Sequence, residues 1–365
     1  MNVKYAYPLL AVIVMFLLSY VLSEASIGFQ YIFGIILPYA ALITFLVGFS
    51  RKVLGWSRVP VPFRIPTTCG QQKSLPWFKP AVIDNPTSNW AVVARMALEI
   101  LTFRSLFRNT KMRLQEGDKL TYRLEIWLWL FALAFHYAFL VVVLRHMRLF
   151  MEPVPAVIQF LERVDGFFRL EVMYDALQAG LPGVFLSGLV LLAAALFLLV
   201  RRMAMPQVKY ISLAADFFPL FLIIGIAVSG ILMRYVTKIN VPAAKELAMN
   251  LVTFRLKIPE GGIDGVFYVH LFFVSVLLAY FPFSKLMHLG GVFLSPTRNL
   301  PTDTRARRHI NPWNYPVEVH TYEEYEDDFR GKMVEAGLPV VKQPEPEPEP
   351  EPEAAEPTPV EDKKE

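Results

Sequence analysis

Residues 126–146 read IWLWLFALAFHYAFLVVVLRH. From Ile126 to Leu144 no Asp, Glu, Lys or Arg interrupts the run, and at 1.5 Å of rise per residue about 20 apolar residues cross the roughly 30 Å hydrocarbon layer of a membrane. Working outward, five more blocks of this kind appear, at approximately Tyr7 to Val21, Ile32 to Phe49, Val184 to Val200, Phe217 to Met233 and Val266 to Leu286. The chain is 55% apolar and 19% charged, against about half and about a quarter in a soluble domain, and the charge lies between the blocks. A barrel would instead show alternating segments of about ten residues. The expected fold is an all-α membrane protein, a bundle of six transmembrane helices with an extended cytoplasmic tail.

The short first block, followed by Ser23-Glu24-Ala25-Ser26, also has the form of a signal-peptide core. Its leader carries only Lys4 and the second block follows closely, so the two read as an uncleaved helical hairpin over 1–50. Residues 51–123 form a loop with Arg51, Lys52, Arg58 and Arg64 at its start and Arg104, Arg108, Lys111, Arg113, Lys119 and Arg123 at its end. Basic residues near span ends stay on the cytoplasmic side, which puts both termini inside and the chain in the cytoplasmic (inner) membrane. Within that loop, Trp90 to Phe107 has the spacing of an amphipathic surface helix. Residues 124–290 hold the remaining four spans. The segment 291–343 is polar with scattered aromatics, too short to bury a core alone, and is expected to order against a cytoplasmic partner. From Pro344 the Pro-Glu alternation reads as a disordered end, 344–365.

The single cysteine, Cys69, excludes an internal disulfide framework, a Cys-x-x-Cys-His haem attachment and a self-contained iron–sulfur cluster. It reads as a packing or interface residue. Any redox cofactor needs other ligands, and the histidines supply them. His136 and His146 lie on the third span, His270 and His288 on the sixth, with His309 and His320 in the tail. An ionisable side chain at membrane depth is expensive and is usually paired or ligating. Ten residues separate the first pair, about 15 Å of rise with directions roughly 80° apart; eighteen separate the second, about 27 Å and five whole turns of continuous helix. The third and sixth spans run antiparallel, so His136 levels with His288 at an inner site and His146 with His270 at an outer one. Facing imidazoles on neighbouring helices are how a bundle holds a bis-histidine haem b, and two pairs call for two haems. Histidines merely touching other helices would not fall into matched order, and zinc sites prefer clustered ligands. Val274, Leu277 and Phe281 form an apolar stripe between His270 and His288 that suits a haem or ordinary helix contact. Arg145, Arg148 and Lys285 could pair with haem propionates or anchor helix ends in the headgroups.

The segment Phe281-Pro-Phe-Ser-Lys-Leu-Met-His288, with His270 eighteen residues earlier and the ten-residue pair His136 and His146, resembles the cytochrome b (gamma) subunits of respiratory nitrate reductases over about the last five spans. The segments Ile65-Pro-Thr-Thr-Cys-Gly-Gln-Gln-Lys-Ser-Leu-Pro76, Ser295-Pro-Thr-Arg-Asn299, His309-Ile-Asn-Pro-Trp313 and Val319-His-Thr-Tyr-Glu-Glu-Tyr325 resemble the DsrM family, the membrane subunits of DsrMKJOP complexes in sulfur-metabolising prokaryotes. The resemblance implies two haems b, menaquinone as lipid substrate, and a cytoplasmic iron–sulfur partner of the DsrK type. The nitrate reductase subunits carry a small residue before the outer ligand and a quinol-serving lysine beyond it; here Arg145 precedes His146 and Met147 to Leu181 contains no lysine. The quinone ligands of that family thus do not carry over, but the resemblance still implies a quinone site near the outer haem, and the expected place is the outer segment Val154 to Leu177, where Arg163, Asp165, Arg169 and Glu171 stand among Phe160, Phe167 and Phe168 and a short helix is expected. The chain reads as the quinone-reactive subunit of a multi-subunit oxidoreductase. The alternative is a transporter or channel with a histidine proton relay, although internal repeats and intramembrane carboxylates are missing.

Overall fold

A computed structural model describes residues 3–59, 70–115, 119–167, 171–174, 177–180, 184–304 and 319–342. Cys69, Phe168, Arg169, the His309–Trp313 motif and the Pro-Glu run lie outside the described residues.

Among the described residues, six helices are long and apolar enough to cross a membrane: Val3–Ala25, Ile27–Ser57, Ile126–Leu149, Leu186–Ala204, Ala214–Thr237 and Gly265–Phe283. Each contains one of the blocks read from the sequence. The first two meet at Ser26, whose hydroxyl accepts from the Phe29 N–H and so caps the second helix. The second span passes through a π-helical stretch, Ile32–Ile36, just before Pro38. A proline cannot donate its backbone bond, and the widened turn absorbs the mismatch.

The spans pack in a chain of neighbours, third on fourth, fourth on fifth and fifth on sixth, with the first span against the fifth and sixth and the second against the sixth. One core cluster joins Val12, Leu199, Phe217, Phe221, Leu222, Val269 and Phe273 from four spans. Gly225 allows its closest approach: a Cβ there would meet the Phe273 ring at 2.8 Å. A second cluster forms around Leu247 and Tyr268, where the helix Val241–Val252 packs against Phe33 and Ile35 of the second span and Tyr268 of the sixth. Polar groups in this region are tied down, with Glu24 accepting from the Gly265 N–H at 2.8 Å at the start of the sixth span.

The sixth span departs from the expected continuous helix. Regular α-structure ends at Tyr280, a 3-10 turn covers Phe281–Phe283, Ser284 is extended (φ −118°, ψ 173°), and a second turn, Lys285–Met287, leads into His288. Pro282 has no N–H to continue the ladder, and the Ser284 hydroxyl replaces the helix bond by accepting from Leu286 N–H at 3.2 Å. The five-turn alignment of His270 with His288 is therefore replaced by a kinked path.

The expected surface helix in the large loop is also interrupted. It runs Asn89–Thr102, stops at Phe103 in the left-handed region (φ 50°), and resumes as the single turn Arg104–Phe107. A hairpin follows, Thr110–Gln115 against Lys119–Leu124, with Lys111 directly opposite Arg123. On the other membrane face a short helix, Ala156–Asp165, occupies the first part of the expected segment, and two small antiparallel strand pairs follow it.

The start of the tail folds back on its own chain. Arg95 donates to the Thr297 carbonyl at 3.0 Å, Gln72 to Thr304 Oγ1 at 3.0 Å, and the Thr302 N–H to the Pro86 carbonyl. Beyond Asn311 a separate unit holds the helix Tyr322–Glu335, opened by a capping box between Thr321 and Glu324. Within it, the buried Glu326 carboxylate accepts from the N–H groups of Val341 and Lys342 at 2.8 and 2.7 Å, which holds its pKa below the usual carboxylate range.

Candidate functional site

The four span histidines come together in the two expected pairs. The rings of His136 and His288 are centred 6.0 Å apart with their planes at 83°; those of His146 and His270 are 6.2 Å apart at 15°. The third and sixth spans that carry them are linked through the fourth and fifth rather than by close packing on each other. His136, His146 and His288 are exposed, and His270 is half-buried.

All four rings are anchored through Nδ1. His136 and His146 each lie 2.7 Å from the carbonyl four residues earlier, Ala132 and Val142, and His288 lies 2.9 Å from the Lys285 carbonyl. A carbonyl only accepts, so these three rings carry their proton on Nδ1 and leave the Nε2 lone pair free. The partner of His270 is the Ser229 hydroxyl, 2.9 Å away on the fifth span. The next residue, Gly230, faces the same ring, where a Cβ would lie 3.4 Å from Cε1. Ser229 and Gly230 were not singled out in the sequence; the signal was a polar and a small residue side by side in an apolar span. Phe103, set in its left-handed conformation, packs edge-on against His136 at 4.9 Å.

Arg145 precedes His146 and is buried, ion-paired with Asp165 at 3.0 Å and stacked over the Phe185 ring at 3.7 Å. Asp165 also accepts from the Ser187 N–H and hydroxyl, at 2.7 and 2.6 Å. Arg148 pairs with Glu162 at 2.6 Å. Lys285 pairs at 2.7 Å with Asp216 at the start of the fifth span, so the side chain expected near a propionate already has a carboxylate. Of the four expected quinone residues, Arg163 lines a cleft of about 350 Å³ shared with Arg148, Gln159, Glu162, Phe185 and Arg234. Asp165 lies beneath it in the ionic cluster, and Glu171 falls on the strand Glu171–Tyr174. Arg234 and Gln159 were not anticipated.

Six membrane helices with two facing histidine pairs are the make-up of a multi-pass membrane protein of the cytochrome b-like class. Residues 88–304 match the model of the nitrate reductase gamma subunit family, and the chain belongs to that family. The match starts after the second span and contains all four paired histidines, so it spans four transmembrane helices rather than the five of the sequence resemblance. Two archaeal relatives extend the likeness over most of the chain, and both are Hdr-like menaquinol oxidoreductase cytochrome b-like subunits. The protein from Archaeoglobus fulgidus is 44% identical over 294 residues, 79% of this chain and 85% of its own. That from Archaeoglobus profundus is 39% identical over 289 residues, covering 78% and 83%.

Proposed function

We propose that this chain is the di-haem, quinone-reactive subunit of a membrane oxidoreductase, exchanging electrons between menaquinol or menaquinone and a cytoplasmic iron–sulfur partner. The observation that carries this reading is the pair of imidazole pairs with their Nδ1 atoms already engaged. The ring centres of His136 and His288 lie 6.0 Å apart and those of His146 and His270 6.2 Å apart, so each pair would be able to hold one haem iron between its two imidazoles. The hydrogen bonds at Nδ1 are the outer-shell partners that orient ligating imidazoles. A bound haem b supplies one-electron chemistry that no side chain of this protein provides.

His136 with His288 would hold the inner haem and His146 with His270 the outer one. The menaquinol ring would sit in the cleft beside Phe185, where Arg163, Arg234 and Gln159 can donate to its oxygens and the Glu162 carboxylate can accept a proton. Asp165 would act through Arg145 rather than by touching the ring, and Arg169 and Glu171 remain as candidates read from the sequence. The relatives' designation as menaquinol oxidoreductase subunits supports the substrate. The DsrM resemblance supports a DsrK-like iron–sulfur partner within a DsrMKJOP-like complex of dissimilatory sulfur metabolism, with residues 319–342 as its docking segment. Both termini would then be cytoplasmic. Purified protein should give a dithionite-reducible b-type spectrum, and the pyridine haemochrome two haems per chain. A protein without visible absorption would overturn the proposal.

A further inference from the structure

At the membrane face where the third span begins and the fourth ends, the hairpin 110–124 leans over a cleft of about 240 Å³. Its walls carry Lys111 and Arg123 from the hairpin and Arg201 from the fourth span; its floor is Trp127, Leu128 and Phe197. Lys111 and Arg123 are directly opposed across the two strands. Like charges in that position repel and destabilise the pair unless an anion lies between them. Among the described residues, Glu125 is the one carboxylate lining the cleft, and it is already bound by Arg201 at 2.5 Å. Among the described residues, Lys111 and Arg123 therefore have no carboxylate partner in the cleft, above an apolar floor built from the ends of two spans. Phe197 is stacked on Phe131 at 3.8 Å.

We propose that this cleft holds the phosphate headgroup of an anionic phospholipid, with Lys111 and Arg123 on the phosphate and the upper acyl chain against Trp127 and Phe197. A soluble anion would use the cations and leave the apolar floor wet, whereas a lipid uses both. Basic pockets between spans at the membrane surface have this chemistry, and each cation there contributes roughly a fivefold gain in affinity.

Native mass spectrometry of the full chain in detergent tests this with phosphatidylglycerol, phosphatidylcholine and inorganic phosphate as separate probes. The phosphatidylglycerol adduct is expected to outlast the phosphatidylcholine adduct by at least about tenfold, and Lys111→Gln with Arg123→Gln should bring it down to the phosphatidylcholine level. Inorganic phosphate at millimolar concentration should leave the lipid adduct in place. Equal retention of the two lipids, or a double variant that holds phosphatidylglycerol as well as the unaltered chain does, overturns the proposal. Displacement by inorganic phosphate would assign the cleft to a soluble anion and also overturn it. Should the double variant fail to fold, Arg123→Gln alone, at an exposed hairpin position, is expected to show a loss of about fivefold, and no loss there counts against the site in the same way.

Discussion

The two histidine pairs hold similar ring separations by different means. At His136 and His288 the anchors are local: each Nδ1 bonds to a carbonyl three or four residues back in its own segment, and the second segment is a broken helix end. At His146 and His270 one anchor comes from another span, Ser229, and the neighbourhood contains the buried Arg145–Asp165 ion pair locked to Ser187. The difference teaches that ligand orientation can be written into a short segment or imposed by the bundle, and that the two should respond differently to remote substitutions.

The most severe way to break the comparison is to remove a ligand from each pair in turn. His270→Leu and His288→Leu should each lower the haem content from two per chain to one, read by pyridine haemochrome. Loss of both haems from either variant would mean the pairs are not independent. Next in size is Asp165→Asn, which leaves Arg145 buried without its charge partner. Breaking a buried pair in this way destabilises by about 3 kcal/mol or more, so thermal unfolding should shift downward while the haem proposed at His136 and His288 is retained. An unchanged melting profile would show that Arg145 finds water or another acceptor.

Ser229→Ala sharpens the contrast further. Removing such an outer-shell partner typically weakens ligation about 10- to 100-fold, here at the His146 and His270 pair alone. Equal effects on both pairs would refute the distinction between local and imposed anchoring. The ring planes offer a spectroscopic counterpart: nearly perpendicular at 83° in one pair and nearly parallel at 15° in the other. Low-spin ferric haems with such ligands should give two separate signals in electron paramagnetic resonance, the perpendicular pair having the larger maximum g value, and two identical signals would contradict these orientations.

The smallest expected effect is a pH response remote from both pairs. Asp84 is held below the usual carboxylate pKa chiefly by its hydrogen bond from Arg104, at 2.6 Å, with Arg108 adding to it against the opposing effect of burial. A depressed folded-state pKa means that the contribution is present above the unfolded value of about 3.9 and is lost as pH falls through the lower folded value. Hydrogen exchange at the Asn85 amide, bonded to the Ala81 carbonyl, should therefore stay protected near pH 4 and accelerate only in stronger acid. Asp84→Asn should remove that pH dependence.

What was legible in the sequence follows from short-range physics. Unbroken apolar runs must form helices in a membrane because their backbone groups have no other partners, so all six spans could be read directly, and residue spacing with antiparallel order paired the histidines. The break after Tyr280 was also present in the sequence, as Pro282 and Ser284, but apolar composition continued through it and concealed the change of path. Other features had no local signal. The fastening of 297–304 to Gln72, Pro86 and Arg95 joins residues some two hundred positions apart, and a segment read as partner-binding turned out to begin on its own chain. Ser229 beside His270, Asp165 beneath Arg145 and Asp216 at Lys285 are likewise contacts between separate helices. A sequence states which residues a helix carries, but the rotation and depth of each helix are settled by packing against its neighbours. For this protein the helices and the order of their histidines were determined by the sequence itself, whereas the partner of each charge and the anchor of His270 were decided only when the helices met.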